Sequence, residues 1–108
     1  MERRKSKRIP YFIDASIMCG DDIYDGIIGN ISKNGFECIV TSVTKSLNNI
    51  IPHKKIELNY QDPLGDDIID LKCKVVWIKR PYKKSMVIGL KILYLSSKYN
   101  KFISSLIY

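Results

Sequence analysis

The sequence is poor in the residues from which catalytic and metal sites are usually built. It has a single histidine, His53, and three cysteines, an odd number at wide spacings that fits neither a disulfide framework nor a zinc site. No serine or cysteine is paired with His53 by a recognisable signature of nucleophilic catalysis. We therefore expect no enzyme activity, no metal and no cofactor. Cys19, Cys38 and Cys73 are interpreted as small core residues in a reducing compartment.

Long apolar runs are also missing. No stretch approaches the ~20 apolar residues that span a bilayer. The charged start of the chain, residues 1–4, lacks the apolar segment and cleavage site of a signal peptide. Gly26 and Gly29 lack the strand-loop-helix setting of a phosphate-binding loop and are expected to bend or bulge a strand. These absences predict a cytoplasmic protein without a membrane span.

The charge is unevenly distributed over a chain short enough to be one domain, residues 1–108. The formal net charge is +7, which indicates either an anionic partner or simple solubility. Five of the six residues from 3 to 8 are cationic, whereas the acids cluster near residues 21–25 and 62–70. A basic arm over residues 1–8 is therefore more informative than the total charge.

Apolar and polar residues alternate along most of the chain, which predicts β-strands. Six such segments precede residue 95. From Tyr99 the apolar period changes to i, i+3, i+4, i+7 and i+8, which is typical of a helix, and Ser96 or Ser97 could cap it. The predicted fold is mainly β, a six-stranded antiparallel barrel with a C-terminal α-helix over residues 96–108.

The same alternation assigns individual residues to a face. In the second strand Ile23, Ile27 and Ile31 share one parity. Asn30 lies on the face opposite Ile31, so a ligand-facing Asn30 is compatible with an inward Ile31. In the fifth strand Trp77 shares the parity of the apolar core face, which predicts a core residue more than a stacking platform.

Two short motifs carry groups suited to an anionic, guanine-containing ligand. Arg4 and Arg8 place two guanidiniums four residues apart, and guanidinium forks suit phosphate oxygens and the acceptor edge of guanine. Asn30 and Ser32 lie two apart, on the same side of an extended chain, in a segment that ends at Gly35. Both polar side chains can therefore face one ligand.

The first motif has the form RxxxR and the second the form [D/N]xSxxG. Their combination resembles the PilZ family, and segments 75–77 and 87–92 also look like the family pattern, so the resemblance covers nearly the whole chain. It implies a small six-stranded barrel with a C-terminal helix that binds cyclic di-GMP, a bacterial second messenger.

The resemblance also implies a role for each motif residue. Arg4 and Arg8 would grip phosphates and guanine O6 and N7, and stack on a base. Ser32 offers a hydroxyl, and Gly35 permits a positive φ that would close the turn around the ligand. Asn30 stands where aspartate is commoner. An amide oxygen would accept neutral hydrogen bonds from guanine N1–H and N2–H, about half as strong as charge-assisted ones, which lowers the expected affinity.

Arg3, directly before the first motif, bears on the number of ligand molecules that one chain binds. In the family, an arginine at this place tends to accompany capture of an intercalated ligand dimer, which predicts two cyclic di-GMP molecules per chain. The alternative is one more solvated charge. Because the arm has no apolar anchor before Ile9, we expect it to be disordered when free and to fold over the ligand, signalling to a protein target that the sequence does not identify. Gly89 matches the family and is expected to allow a close backbone approach.

Two other functions stay open at this point. One is a ligand-free adaptor that works through protein contacts and would need exposed apolar patches. The other is a small nucleic-acid-binding barrel, favoured by the net charge and the seven tyrosines. No nucleic-acid signature appears in the sequence, so we expect no nucleic-acid partner.

Overall fold

The computed structural model describes residues 9–41, 49–63, 65–81, 85–94 and 96–107. Its elements are β1 (Ile9–Cys19), β2 (Asp22–Ile31), β3 (Gly35–Val40), β4 (Lys55–Gln61), β5 (Ile68–Lys79), β6 (Met86–Ile92) and α1 (Ser97–Ile107). The strands form a closed antiparallel barrel, so the predicted fold class is confirmed. Within the ranges just given, no helix has the length and apolar character needed to cross a bilayer.

The barrel consists of two three-stranded meanders. The strand order is β1-β2-β3-β6-β5-β4, and β1 closes the ring by pairing with β4. One seam between the meanders is therefore β1 with β4, and the other is β3 with β6. Because the ring is closed, each described strand has a hydrogen-bonded neighbour on both sides over at least part of its length.

Alternate residues of each strand fill the barrel interior with apolar side chains. In β3 the inward residues are Phe36, Cys38 and Val40, each at most 6% exposed. Burial of one large aliphatic side chain stabilises a fold by roughly 1.5–3 kcal/mol. The three cysteines all lie in this core as free thiols, which confirms their interpretation as core residues.

A β-bulge in β2 changes which residues face inward. Ile28 pairs with Cys38 and Ile31 with Phe36, so the two residues between them share one partner position. Ile28 and Ile31 are therefore both buried although they are three apart. The prediction that Ile23 shares the face of Ile31 is wrong, since Ile23 is 52% exposed.

The two glycines of β2 have different roles. Gly29 lies inside this bulge, as expected. Gly26 lies in regular pairing with Val40, and a Cβ there would come within 2.9 Å of both the Cys38 Sγ and the Ile17 Cδ1. Gly26 therefore serves close packing, and it lies outside the bulge of β2.

A second bulge turns Trp77 out of the core. Val75 pairs with Leu90 and Trp77 with Gly89, which leaves Val76 as the extra residue. Trp77 is consequently half-buried on the outer surface, and Ile78 packs against the core in its place. The prediction of a core tryptophan is wrong, because a bulge reverses the alternation on which that prediction rests.

The C-terminal helix packs on the barrel end where β2 ends and β3 begins. The Ser96 hydroxyl accepts a hydrogen bond from the Tyr99 N–H at 3.1 Å, so Ser96 is the N-cap. Tyr99 meets Phe36 edge to face with ring centroids 6.0 Å apart, and Phe102 meets Tyr60 in the same way at 5.5 Å. These aromatic contacts fix the helix on the barrel.

The buried thiols predict a loss of stability at alkaline pH. Burial raises the pKa of the Cys38 and Cys73 thiols from 9.0 to about 12. The folded state thus favours the neutral thiols, and this part of the free energy of unfolding is present below pH 9 and lost as the pH rises towards 12. Urea denaturation across this range should show a shallower loss in a Cys38→Ala/Cys73→Ala variant. Equal slopes for the variant and the native chain would contradict the assignment.

Candidate ligand-binding site

Four strands bring four positions into one row on the outer surface of the barrel. Glu37 of β3 pairs with Gly89 of β6, which pairs with Trp77 of β5, and the β2 bulge places Asn30 beside Glu37. The row forms one wall of a pocket of about 230 Å³ that the turn between β2 and β3 completes. The structure therefore brings together the three residues of the second motif, Asn30, Ser32 and Gly35, in one pocket.

Asn30 is held by a side-chain hydrogen bond inside this row. Its Nδ2 donates to the Oε2 of Glu37. A carboxylate only accepts hydrogen bonds, so the contact also fixes which way the amide points, and the Asn30 Oδ1 is left as an acceptor. Glu37 lies outside both motifs and is not among the site residues predicted from the sequence. Its outward parity in β3, one position beyond the buried Phe36, is the signal that could have found it.

The turn of the second motif is closed by Ser32. Its N–H and its hydroxyl both donate to the Gly35 carbonyl oxygen, at 2.9 and 3.0 Å. The hydroxyl proton is thus already in use, and the oxygen retains lone pairs that can accept a hydrogen bond from a ligand. Ser32 contributes a fixed acceptor at the edge of the pocket.

Gly35 is required for a reason other than the predicted one. Among the described glycines a positive φ occurs at Gly20, so the expectation of a positive φ at Gly35 is wrong. Gly35 is instead extended at the start of β3, where an added Cβ would overlap the carbonyl oxygen of Leu90. The absence of a side chain lets β3 approach β6 at this end of the seam.

Trp77 covers Gly89 on the outer surface. A Cβ on Gly89 would overlap the indole ring, so Gly89 leaves the space in which the ring lies. The Lys79 ammonium lies 5.2 Å from the centre of the same indole, a cation–π distance. A close backbone approach was predicted at Gly89, and the group that approaches it is the side chain of Trp77. The run Val75-Val76-Trp77, three apolar residues in succession, is the sequence signal for the bulge.

A row of lysines runs beside the pocket. Lys55 pairs with Lys74, and Lys74 pairs with Lys91, so three cations lie side by side on β4, β5 and β6. Like charges directly opposite one another are destabilising, and a bound anion would offset that repulsion. Lys91 itself lines the pocket and pairs with Gly35, which places a cation next to the second motif.

The buried Tyr99 connects the motif turn to the helix. Its hydroxyl donates to the Ser32 carbonyl oxygen at 2.7 Å. Burial raises the pKa of this hydroxyl, which keeps it protonated and able to donate. The turn that carries Ser32 is therefore fixed from inside the protein by α1.

The arginines of the first motif, Arg3, Arg4 and Arg8, lie outside the described residues. The structure nevertheless shows where the chain leaves them. Ile9, the first residue of β1, pairs with Ile31, and Pro10 pairs with Asn30. The backbone that follows Arg8 thus enters the barrel directly beside the second motif.

The comparisons with known proteins agree with this architecture. The family model described as PilZ domain matches residues 2–108, so the chain belongs to the PilZ family, whose domains are known as cyclic di-GMP receptors and are typically non-enzymatic. No curated protein matches the chain in sequence.

Solved structures share the fold at low sequence identity. The inhibitor of motility MotI/DgrA from Bacillus subtilis matches with a TM-score of 0.77 and 16% identity over 99% of this chain, which spans only 51% of that protein. The PilZ domain of YcgR from Escherichia coli, solved with c-di-GMP, matches with a TM-score of 0.74 and 12% identity, and the match covers 98% of this chain and 89% of that one. The PilZ domain of CeSA from a cellulose-synthesizing bacterium matches with a TM-score of 0.63 and 13% identity, and the match covers 94% of this chain and 95% of that one.

Two buried tyrosines provide a matched test of the link between turn and helix. Tyr99→Phe removes the donor to the Ser32 carbonyl and should lower the free energy of unfolding by about 1–3 kcal/mol. Tyr60→Phe is the control, since the Tyr60 hydroxyl is buried and finds no hydrogen-bond partner within the described part of the chain. Urea denaturation should show no loss for the control. Equal losses for both variants would contradict the role of the Tyr99 hydroxyl.

A second matched pair tests the close approach at the β3–β6 seam. Gly35→Ala places a methyl group against the Leu90 carbonyl and should lower the free energy of unfolding by roughly 1–3 kcal/mol. Gly29→Ala is the control, because its Cβ would meet the Glu37 carbonyl oxygen at an ordinary 3.9 Å. Thermal unfolding of the control should match or slightly exceed that of the native chain. A Gly35→Ala protein as stable as the Gly29→Ala protein would show that the seam can relax.

Proposed function

We propose that the chain is a cyclic di-GMP receptor whose site lies on the outer face of the β3–β6 seam. The single observation that carries this proposal is the pairing of the start of β1 with the end of β2. It brings the chain that follows the arginine motif alongside Asn30, in the pocket that Ser32 and Gly35 complete. This pairing supports a single site for two motifs that are separated in the sequence.

The groups at this site are complementary to the ligand. Cyclic di-GMP carries two phosphates and two guanine bases. Arg4 and Arg8 supply guanidiniums for the phosphates and the acceptor edge of guanine, and Lys91 adds a cation from the barrel itself. Asn30 and Ser32 supply acceptors for the donor edge of a base, and the indole of Trp77 forms an apolar side of the pocket.

The output of binding follows from the two connections of the site. The arm, residues 1–8, closes over the ligand, and the turn at Ser32 is tied to α1 through Tyr99. Closure of the arm changes the surface next to the site. A shift of the turn is transmitted to α1 through the hydrogen bond from Tyr99 to Ser32. Both changes present an altered surface to a protein target.

Amide exchange should slow in residues 2–8 when the ligand is saturating.

Titration calorimetry tests the site directly. Arg8→Ala and Arg4→Ala should each weaken cyclic di-GMP binding by roughly tenfold to a hundredfold, because a hydrogen bond to a charged group contributes about 1.5–3 kcal/mol. Lys72→Ala is the control, since it removes an exposed cation of β5 that lies outside both motifs and outside the residues that line the pocket. Near-native binding by the Arg8→Ala protein would contradict the site. A native chain that binds no cyclic di-GMP would contradict the function and favour a ligand-free adaptor.

The same titration measures stoichiometry. Arg3, Arg4 and Arg8 together present more guanidiniums than the two phosphates of a single ligand require, and an intercalated dimer offers four phosphates. We therefore expect two ligands per native chain and a ratio closer to one for Arg3→Leu. Saturation of the native chain at one ligand would assign Arg3 to the solvated surface.

The lysine row favours a second candidate, a polyanion-binding barrel. Lys55, Lys74 and Lys91 form a straight cationic strip, which also suits the backbone of a nucleic acid. Titration with single-stranded RNA at two salt concentrations separates the candidates, because binding of a long polyanion falls steeply with salt. A receptor of the proposed kind prefers cyclic di-GMP at both concentrations.

A further inference from the structure

We propose that Glu37 is a specificity-determining residue that reads the donor edge of a guanine base. This inference rests on the proposed function, since it names a contact within the cyclic di-GMP site. It adds a residue that lies outside both sequence motifs. The observations that carry it are the position of Glu37 in the outer row and its hydrogen bond with Asn30.

Glu37 occupies the middle of the pocket wall. It lies between the β2 bulge, which carries Asn30, and Gly89, over which the indole of Trp77 lies. Glu37 is half-buried, and its neighbours on β3, Phe36 and Cys38, point into the core. Its carboxylate is therefore confined to the outer face, where the pocket opens.

The hydrogen bond from Asn30 orients this carboxylate. Asn30 Nδ2 donates to Oε2, and an ionised carboxylate has several lone pairs, so acceptor capacity is left for a ligand. The Asn30 Oδ1 is a further acceptor beside it. Together the two side chains present acceptors, one of them charged, from one place on the wall.

This arrangement selects guanine by its hydrogen-bonding pattern. Guanine N1–H and N2–H are adjacent donors that match a carboxylate, with charge-assisted bonds about twice as strong as neutral ones. Adenine N1 is an acceptor without a hydrogen, so in the same position its lone pair would repel the carboxylate oxygens. The charged acceptor that asparagine lacks at position 30 is thus supplied across the strand pair by Glu37.

The pairing also explains how an asparagine fits at position 30. An aspartate there would place two carboxylates in direct contact, and like charges so close disfavour each other's ionised form. With asparagine the contact becomes a hydrogen bond. The amide and the carboxylate act as a unit, in which one side chain orients the other.

Removal of a single donor from the ligand tests the contact on the native chain. Cyclic di-IMP differs from cyclic di-GMP only by lacking the N2 amino groups of the bases. The native chain should bind cyclic di-IMP about tenfold more weakly in calorimetry. For Glu37→Gln, cyclic di-GMP affinity should fall about tenfold and the difference between the ligands should shrink. Glu57→Gln, an exposed glutamate on β4, is the matched control and should keep the native preference.

The outcomes separate this inference from the function on which it rests. A native chain that does not bind cyclic di-GMP overturns both. Native binding with an unchanged Glu37→Gln protein overturns the inference alone. Equal weakening of both ligands by Glu37→Gln also overturns it, because the carboxylate would then act on a cation and not on the base.

An exchange of the two side chains provides an independent test. Asn30→Asp/Glu37→Gln keeps one amide and one carboxylate at the same place but reverses their order. The double variant should regain the preference for cyclic di-GMP over cyclic di-IMP that Glu37→Gln loses. A double variant with as little preference as Glu37→Gln would show that the carboxylate at this pair does not read guanine.

Discussion

The close approach of β3 and β6 is the constraint on which both the barrel and its candidate site depend. These strands form one of the two seams that join the halves of the barrel. At Gly35 the backbone lies so near Leu90 that no side chain fits, and at Gly89 the space for a side chain is taken by Trp77. The missing Cβ of Gly35 thus lets β3 and β6 pair closely, and the missing Cβ of Gly89 leaves room for the indole of Trp77. Gly35, Gly89 and Trp77 all line the pocket on the outer surface of this seam.

The inner and outer faces of this seam have different chemistry because of the strand alternation. Inward residues such as Phe36 and Cys38 are buried in an apolar core, and burial keeps the thiol neutral by raising its pKa. On the outer face the polar groups are already engaged with one another, Asn30 with Glu37 and Ser32 with the Gly35 carbonyl. Groups that are oriented before binding lose less conformational entropy when a ligand arrives. The rigid core therefore positions the polar groups of the site.

The helix extends this positioning to the motif turn. Tyr99 of α1 packs against Phe36 at the barrel end, and its hydroxyl donates a hydrogen bond to the Ser32 carbonyl oxygen. A change at the turn consequently alters a partly buried hydrogen bond, and a buried donor is costly to leave without an acceptor. Solved PilZ structures share this fold with 12–16% identity. The apolar pattern that builds the barrel is thus compatible with very different sequences.

The sequence by itself determined the six strands, the helix, the buried cysteines and the residues of both motifs, because these follow from local period and residue chemistry. It left Ser96 and Ser97 both open as the N-cap, and the structure assigns Ser96. Only the tertiary structure decided which residues share the site. The bulges in β2 and β5 reverse the alternation at Ile31 and Trp77, and a bulge depends on pairing with a distant strand, which local period does not encode. The contact between Asn30 and Glu37, the overlap at Gly35 and the link from Tyr99 to Ser32 likewise arise from strands and a helix packed across the barrel.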